Sequence, residues 1–158
     1  MIKLFDKEMN EIVLDNDTYK IKVYPLENFA PYGLTLNKMF FPTSEHAFQY
    51  LKFVSTDDAI AEKIMEAKTP EEARRIAHEY KKRRASNWKK IKYDVMEEVI
   101  EMKVNQNDEV REALLNTRDL LIAEFCVDED TDWGIDKNNK GENHLGKALM
   151  KVRKNINK

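Results

Sequence analysis

Glu45, Gln49 and Lys52 set a carboxylate, an amide and an amine within one short stretch, Pro42-Thr43-Ser44-Glu45-His46-Ala47-Phe48-Gln49-Tyr50-Leu51-Lys52-Phe53. On a helix, at about 100° per residue, these three side chains project within roughly 60° of one another, while Ala47, Tyr50, Leu51 and Val54 turn to the opposite side. A helix built this way is anchored by one face and does chemistry with the other. By periodicity alone the same stripe describes any solvated surface helix. The reading therefore turns on the company the segment keeps.

That company is ordered. Asn28-Phe29-Ala30-Pro31 lies upstream and Asn87-Trp88 in the middle; near the end come Trp133-Gly134, Gly141-Glu142-Asn143-His144-Leu145-Gly146 and Leu149-Met150-Lys151-Val152-Arg153. In this order and at these separations the set resembles the YbiA-like family of the NADAR superfamily, whose name refers to NAD and ADP-ribose. The resemblance covers about residues 21 to 154 and rests on four separated motifs.

The resemblance implies an N-glycosidase, a hydrolase of the bond between a ribosyl anomeric carbon and a nitrogen. Family substrates include phosphorylated ribosylamino intermediates of riboflavin synthesis, and relatives remove ADP-ribose from guanine bases. Cleaving such a bond builds positive charge at the anomeric carbon and negative charge on the leaving nitrogen, so the site must offer a carboxylate, a proton donor and a grip on phosphate. Glu45 matches the family's functional glutamate and would stabilise the cationic centre or activate water. Lys52 would donate a proton or attack the opened sugar as an amine, forming a Schiff base. Substrate binding is expected at Asn28 and Phe29, Gln49, Trp88 and Trp133, and at Gly134, Asn143 and Gly146 beside a phosphate site. No cofactor is implied. The chain also departs from the family pattern: a small-Arg pair on the helix before the central tryptophan reads Ala77-His78 here, and a basic residue close to Asn-Trp is replaced by Ala85-Ser86. Arg83 and Arg84 are near enough in sequence to substitute. After Trp133-Gly134 stands Ile135 rather than Asp, with Asp136 one step later.

Other chemistries find little support. Four glycines in 158 residues, with no Gly-rich phosphate loop, argue against a dinucleotide fold of the Rossmann type, and there is no G-x-S-x-G elbow. His46, His78 and His144 stand alone, without metal-ligand spacing; His46 reads as a packed or hydrogen-bonded histidine. Cys126 is the single cysteine and sits in an apolar run as a small buried thiol. Net charge is −2, which argues against tight sequence-independent binding to a nucleic-acid backbone across the whole surface. Lys81-Lys82-Arg83-Arg84 with Lys89, Lys90 and Lys92 nevertheless forms a basic segment that could meet a phosphorylated ligand or a strand. No apolar run spans a bilayer and no secretory signal is present, so a cytoplasmic protein without membrane association is expected.

The elements that must position these groups are mostly helices. Short extended pieces are expected at Glu11 to Leu14, Tyr19 to Tyr24 and Leu34 to Phe41, the last folded at Asn37-Lys38 into a hairpin. Helices are expected near 43 to 54, 57 to 67, 70 to 82, 88 to 104 and 108 to 116, with Thr43, Thr56 or Asp57, and Thr69 as N-caps and Ile91, Val95, Val99 and Met102 as the buried stripe of the fourth. A strand or extended piece follows within 119 to 127. The polar loop from Asp128 to Lys140 comes next, and then a helix from about Asn143 that buries Leu145, Ala148, Leu149, Val152 and Ile156. Trp133 in that loop has two readings, a plug in the core or a wall on which a base stacks. The glycines around Asn143 also have two: a phosphate held on free N–H groups at the helix start, or a capped start with close packing. With 42% hydrophobic and 35% charged residues, the expectation is one mainly α (α+β) domain over residues 1 to 158 with a small β portion near the N-terminus. The partner expected is a ribosyl-phosphate or ADP-ribosyl small molecule, the latter carried in some cases on a guanine base of nucleic acid. A noncatalytic ADP-ribose or nucleotide-binding module and a helical nucleic-acid binder are the alternatives.

Overall fold

A computed structural model describes residues 1–12, 22–126 and 131–157. The chain divides into two compact units, one of residues 28–107 and one of residues 1–27 with 108–158. Among the described residues most regular structure is helical, with four short strands, and no helix is long and apolar enough to cross a membrane.

The unit of residues 28–107 begins with the expected hairpin. β2 (Leu34–Leu36) pairs antiparallel with β3 (Met39–Phe41), Leu34 facing Phe41 and Leu36 facing Met39. Asn37 and Lys38 between them both have positive φ, 50° and 69°, the mirror-image turn whose twist suits a two-residue hairpin. Four helices follow: α1 (Ser44–Leu51), α2 (Asp58–Met65), α3 (Pro70–Glu79) and α4 (Trp88–Gln106). Each of the first three starts where a side-chain oxygen can accept an otherwise unsatisfied N–H. Thr43 accepts from His46, Asp57 from Ile60 and Thr69 from Glu72. Glu72 in turn accepts from the Lys68 N–H, and Pro70 occupies the first turn. α3 ends earlier than expected, at Glu79, because the chain tightens into a 3-10 turn over Lys81–Arg83.

α1 is the hub of this unit, packing against α2, α3, α4 and both strands of the hairpin. Phe41, Phe53, Ile64, Ala73 and Val99 are fully buried in the core that results. The stripe of α4 is rotated from the expected one: Met96, Val99, Ile100, Lys103 and Val104 are buried, whereas Val95 and Met102 pack at its margin.

In the other unit β1 (Ile2–Phe5) pairs antiparallel with β4 (Leu121–Glu124), Ile2 facing Glu124 and Phe5 facing Leu121. The β portion thus draws one strand from late in the chain, and β1 itself carries no alternation in sequence to announce it. Of the two other extended pieces, Glu11 makes one isolated bridge to Phe5, and residues 22 and 23 carry no strand; residues 13 to 21, where most of both pieces fall, lie outside the described residues. Tyr24–Leu26 is a 3-10 turn rather than the end of a strand, with Pro25 in its first turn, and proline lacks the N–H a strand would use. α5 (Asp108–Asn116) packs against that turn, and α6 (His144–Ile156) packs along β4. Leu145, Ala148, Leu149 and Val152 point inward as expected, whereas Ile156 is only half-buried. Arg153 is buried as well, donating to Thr117 Oγ1 at 2.9 Å and to the Leu120 carbonyl at 2.8 Å.

Contact between α6 and β4 is close enough that a Cβ on Gly146 would overlap the Ile122 carbonyl oxygen and the side-chain amide of Asn143. Overpacking at such a contact costs about 1 to 3 kcal/mol. Gly146→Ala is accordingly expected to lower stability by about that much, measured by chemical denaturation; an unchanged midpoint would show that the contact relaxes without cost.

Candidate active site

The chemistry-bearing residues of α1 are buried, not displayed. From Ser44 to Tyr50 every residue of the helix is buried, because neighbours cover it on all sides; a Glu/Gln stripe on a solvated face would be open to water. Glu45 is 7% exposed and Gln49 5%. Gln49 Nε2 donates to Glu45 Oε1 at 2.7 Å, a hydrogen bond to an ionised acceptor and so a strong one. The amide's other end, Gln49 Oε1, is buried and has no hydrogen-bond partner among the described residues.

Asn28 fixes where the helix begins. Its carbonyl accepts from the Glu45 N–H at 3.1 Å, and its side-chain Oδ1 accepts from Ser44 Oγ at 3.0 Å. Lys103 on α4, 2% exposed, donates to the same Ser44 hydroxyl at 3.3 Å. Asn28 therefore acts here as a strut for the start of α1, and Phe29 sits half-buried in the turn that follows. Ser44 and Lys103 escaped the sequence reading. The signal for Lys103 was its place four residues after Val99, on the apolar stripe, where an ordinary solvated lysine does not belong.

Lys52 caps the C-terminus of α1, and the helix stops at Leu51 rather than at 54; Val54 is exposed beyond the end. The Lys52 ammonium lies 5.5 Å from the Phe48 ring and 5.7 Å from the Trp88 ring, and those rings pack on each other at 5.2 Å between centroids. Trp88 is 2% exposed, so its ring floors the lysine and has no open face for a base to stack on. Burial lowers the Lys52 pKa from 10.5 to about 8. Glu45 opposes that shift by favouring the cation, and Arg84, Arg74 and Lys92 add to it by repulsion. Roughly a tenth of the side chain is then a neutral amine at pH 7. The Ala85 N–H donates to the Lys52 carbonyl at 2.8 Å, which brings the basic turn alongside. Of the two arginines there, Arg83 pairs with Asp57 at 3.1 Å; Arg84 is one of the cations felt by Lys52. Ala77 is buried and His78 exposed on α3, and the cation that α3 contributes is Arg74.

His46 is a packing residue. Its Nε2 lies 2.9 Å from the Ala67 carbonyl, an oxygen that can only accept, so Nε2 carries the proton; Nδ1 then accepts from Thr43 Oγ1 at 2.8 Å. Among the described residues no group of three or more His, Cys, Asp or Glu side chains is placed to hold a metal ion. An open groove of about 360 Å³ between α2 and α3, lined by Lys63, Arg75 and Tyr80 among others, includes none of the Glu45 cluster.

The closing motif belongs to the other unit, and its groups are largely committed. Asn143, in the left-handed region at φ 51°, donates from Nδ2 to the Ile122 carbonyl at 2.9 Å and accepts at Oδ1 from the Glu124 N–H at 3.1 Å. Its amide thus pairs with β4 as a further strand would. The N–H groups of Glu142, Asn143, His144 and Leu145 donate to the carbonyls of Thr131, Gly134, Asp132 and Trp133. This corrects the expectation of a phosphate site on free N–H groups at the start of α6: the loop has taken those donors. At Gly134 a Cβ would overlap the Glu124 carbonyl, as at Gly146 it would overlap that of Ile122, so close packing accounts for both glycines. Trp133 is half-buried, with the His144 ring edge-on at 6.5 Å between centroids.

What the arrangement around α1 offers is a carboxylate locked by an amide, an amine of lowered basicity seven residues on, and a shell of further cations suited to an anionic group. The Lys52 shift also has a sign for stability. Between pH 8 and 10.5 the unfolded chain holds a proton at this position that the folded chain has released, so stability rises with pH across that window. In the protein with its lysines reductively ¹³C-methylated, the Lys52 resonance is expected to titrate near pH 8. Glu45→Gln is expected to move it lower still, since the carboxylate's support for the cation is removed; a midpoint near 10.5 in the parent would show that Lys52 is solvated.

A family model, the NADAR domain, matches residues 9–157. N-glycosidase Npun_R5314 of Nostoc punctiforme is 38% identical over 130 residues, which span 82% of this chain and 83% of that protein. N-glycosidase YbiA of Escherichia coli is 33% identical over 129 residues, 82% of this chain and 79% of YbiA. The NMR structure of E. coli YbiA is similar with a TM-score of 0.76 at 30% identity, covering 92% of this chain and 82% of that one. A riboflavin biosynthesis protein of Vibrio vulnificus, VVA0006, is 33% identical over 131 residues, 83% of this chain and 35% of that longer protein.

Proposed function

The chain belongs to the NADAR domain family, and on that footing we propose that it is an N-glycosidase hydrolysing the bond between a ribosyl anomeric carbon and a nitrogen, in a phosphorylated ribosylamine or an ADP-ribosyl compound. The observation that carries the reading is the pairing on α1 of a buried, amide-clamped Glu45 with a Lys52 whose amine is partly neutral at physiological pH. Relatives named N-glycosidase and riboflavin biosynthesis protein support the reaction class and the phosphorylated ribosylamine respectively.

As the C–N bond breaks, its electron pair leaves with the nitrogen, which takes up a proton, and positive charge grows at the anomeric carbon. Glu45 faces that charge with a carboxylate whose orientation Gln49 fixes in advance, the arrangement that costs no reorganisation during reaction. Lys52 supplies a second route. In a ribosylamine that has opened to its imine, the neutral Lys52 amine adds to C1, the substrate nitrogen departs as an amine, and water hydrolyses the resulting Schiff base to release the sugar and regenerate the lysine. Arg74, Arg84 and Lys92, whose charges act on Lys52, supply a grip on phosphate, which answers the loss of the family's small-Arg pair.

Incubation with a ribosylaminouracil phosphate, ADP-ribosylated guanine DNA and an ADP-ribosylated protein, with mass spectrometry of any released sugar, tests the activity and its substrate together. Release from none of them refutes it. Glu45→Gln and Lys52→Ala are each expected to reduce turnover about 100- to 10,000-fold. Borohydride added during turnover is expected to leave a sugar adduct on the peptide containing Lys52; robust activity in Lys52→Ala would remove the Schiff-base route and leave Glu45 with water.

A further inference from the structure

We propose that Gln49 makes the site specific for a ribosyl over a 2-deoxyribosyl group, its Oε1 accepting a hydrogen bond from the sugar's 2-hydroxyl; this rests on the N-glycosidase reading above.

The orientation of the Gln49 amide is settled by its neighbour. Glu45 Oε1 lies 2.7 Å from Nε2, and an ionised carboxylate only accepts, so the nitrogen must face it and the carbonyl oxygen must face elsewhere. There Oε1 is buried and meets no donor among the described residues. The other buried polar side chains at this helix start are supplied, Ser44 through Asn28 and Lys103, and His46 through Thr43 and Ala67. A buried acceptor left without a donor is destabilising, and an apolar side chain of the same length would avoid the penalty. Its bond to Glu45 accounts for the nitrogen end of the amide, and the oxygen end is accounted for if a donor arrives with a ligand.

Which donor follows from position. Glu45 acts at the anomeric carbon, and Oε1 belongs to the amide whose other end touches Glu45, so it addresses the substituent on the adjoining carbon. In a ribosyl group that is the 2-hydroxyl. A hydrogen bond at the 2-hydroxyl strengthens as charge develops on the sugar ring, so the same contact serves both selection and rate.

The test is NMR titration of the parent protein and of Gln49→Met with ribose 5-phosphate and with 2-deoxyribose 5-phosphate. The parent is expected to favour the ribose about tenfold to a hundredfold, the scale of a polar group left unpaired, and Gln49→Met to lose that preference. Misalignment of Glu45 alone would weaken both sugars together and leave their ratio unchanged. A parent that binds the two sugars equally or binds neither overturns the proposal before any variant is made, and so does a variant that keeps the parent's ratio. If the parent releases sugar from a ribosylamine yet does not distinguish the two sugar phosphates, the N-glycosidase reading stands and the role of Gln49 falls alone.

Discussion

A carboxylate taken out of water must replace its lost hydration with donors from the protein, and the helix that carries Glu45 is arranged around that need. The replacement starts one turn along the same helix, where the Gln49 amide donates to it, and is secured behind it by the Asn28 carbonyl, which takes the Glu45 N–H and so fixes the register at which α1 begins. Ser44, first residue of α1, donates to Asn28, and Lys103 reaches Ser44 from α4. The bond between Gln49 and Glu45 is the strong member of the set. It and the contact of Lys103 with Ser44 are buried, so breaking either leaves a polar group with no water to turn to, and the carboxylate keeps one orientation before any ligand is present.

Local chemistry in the sequence was enough for the helix starts and the hairpin. Thr43, Asp57 and Thr69 act as caps because each has its acceptor three residues ahead of an N–H in need, and Asn37-Lys38 turns because an asparagine tolerates positive φ. Burial was less legible. A 3.6-residue period reports which residues share a face and not how many neighbours cover the helix, so the Glu45, Gln49 and Lys52 stripe looked solvated when α1 in fact has partners all round. Lys103 on the buried stripe of α4 is the same failure in reverse. The β1–β4 pairing joins residues more than a hundred positions apart and leaves no local trace at all.

The closing motif gives a different lesson. Gly134, Asn143 and Gly146 were expected together as a closing motif, and a ligand is the first explanation such a set invites. Here their side chains, or lack of them, join the loop, β4 and α6: Asn143 mimics a strand, Gly134 and Gly146 allow close approach, and the loop carbonyls absorb the α6 N–H groups. The resemblance singled these residues out, and their hydrogen bonds and close contacts give them structural work. The catalytic assignment rests on the opening motif for this reason, where the groups are chemical in kind and one polar atom remains unanswered.

Seven consecutive buried residues on α1 leave that helix little latitude for change over time. A substitution there must satisfy the packing on one side and the chemistry on the other, so few single steps pass through a working intermediate. The exposed side chains of Lys81, Lys82, Arg83, Ser86, Asn87, Lys89 and Lys90 face no such double demand, yet the Ala85 N–H ties their turn to the backbone of Lys52. Divergence toward new substrates would therefore enter through that turn, with α1 held as the invariant part of the machinery.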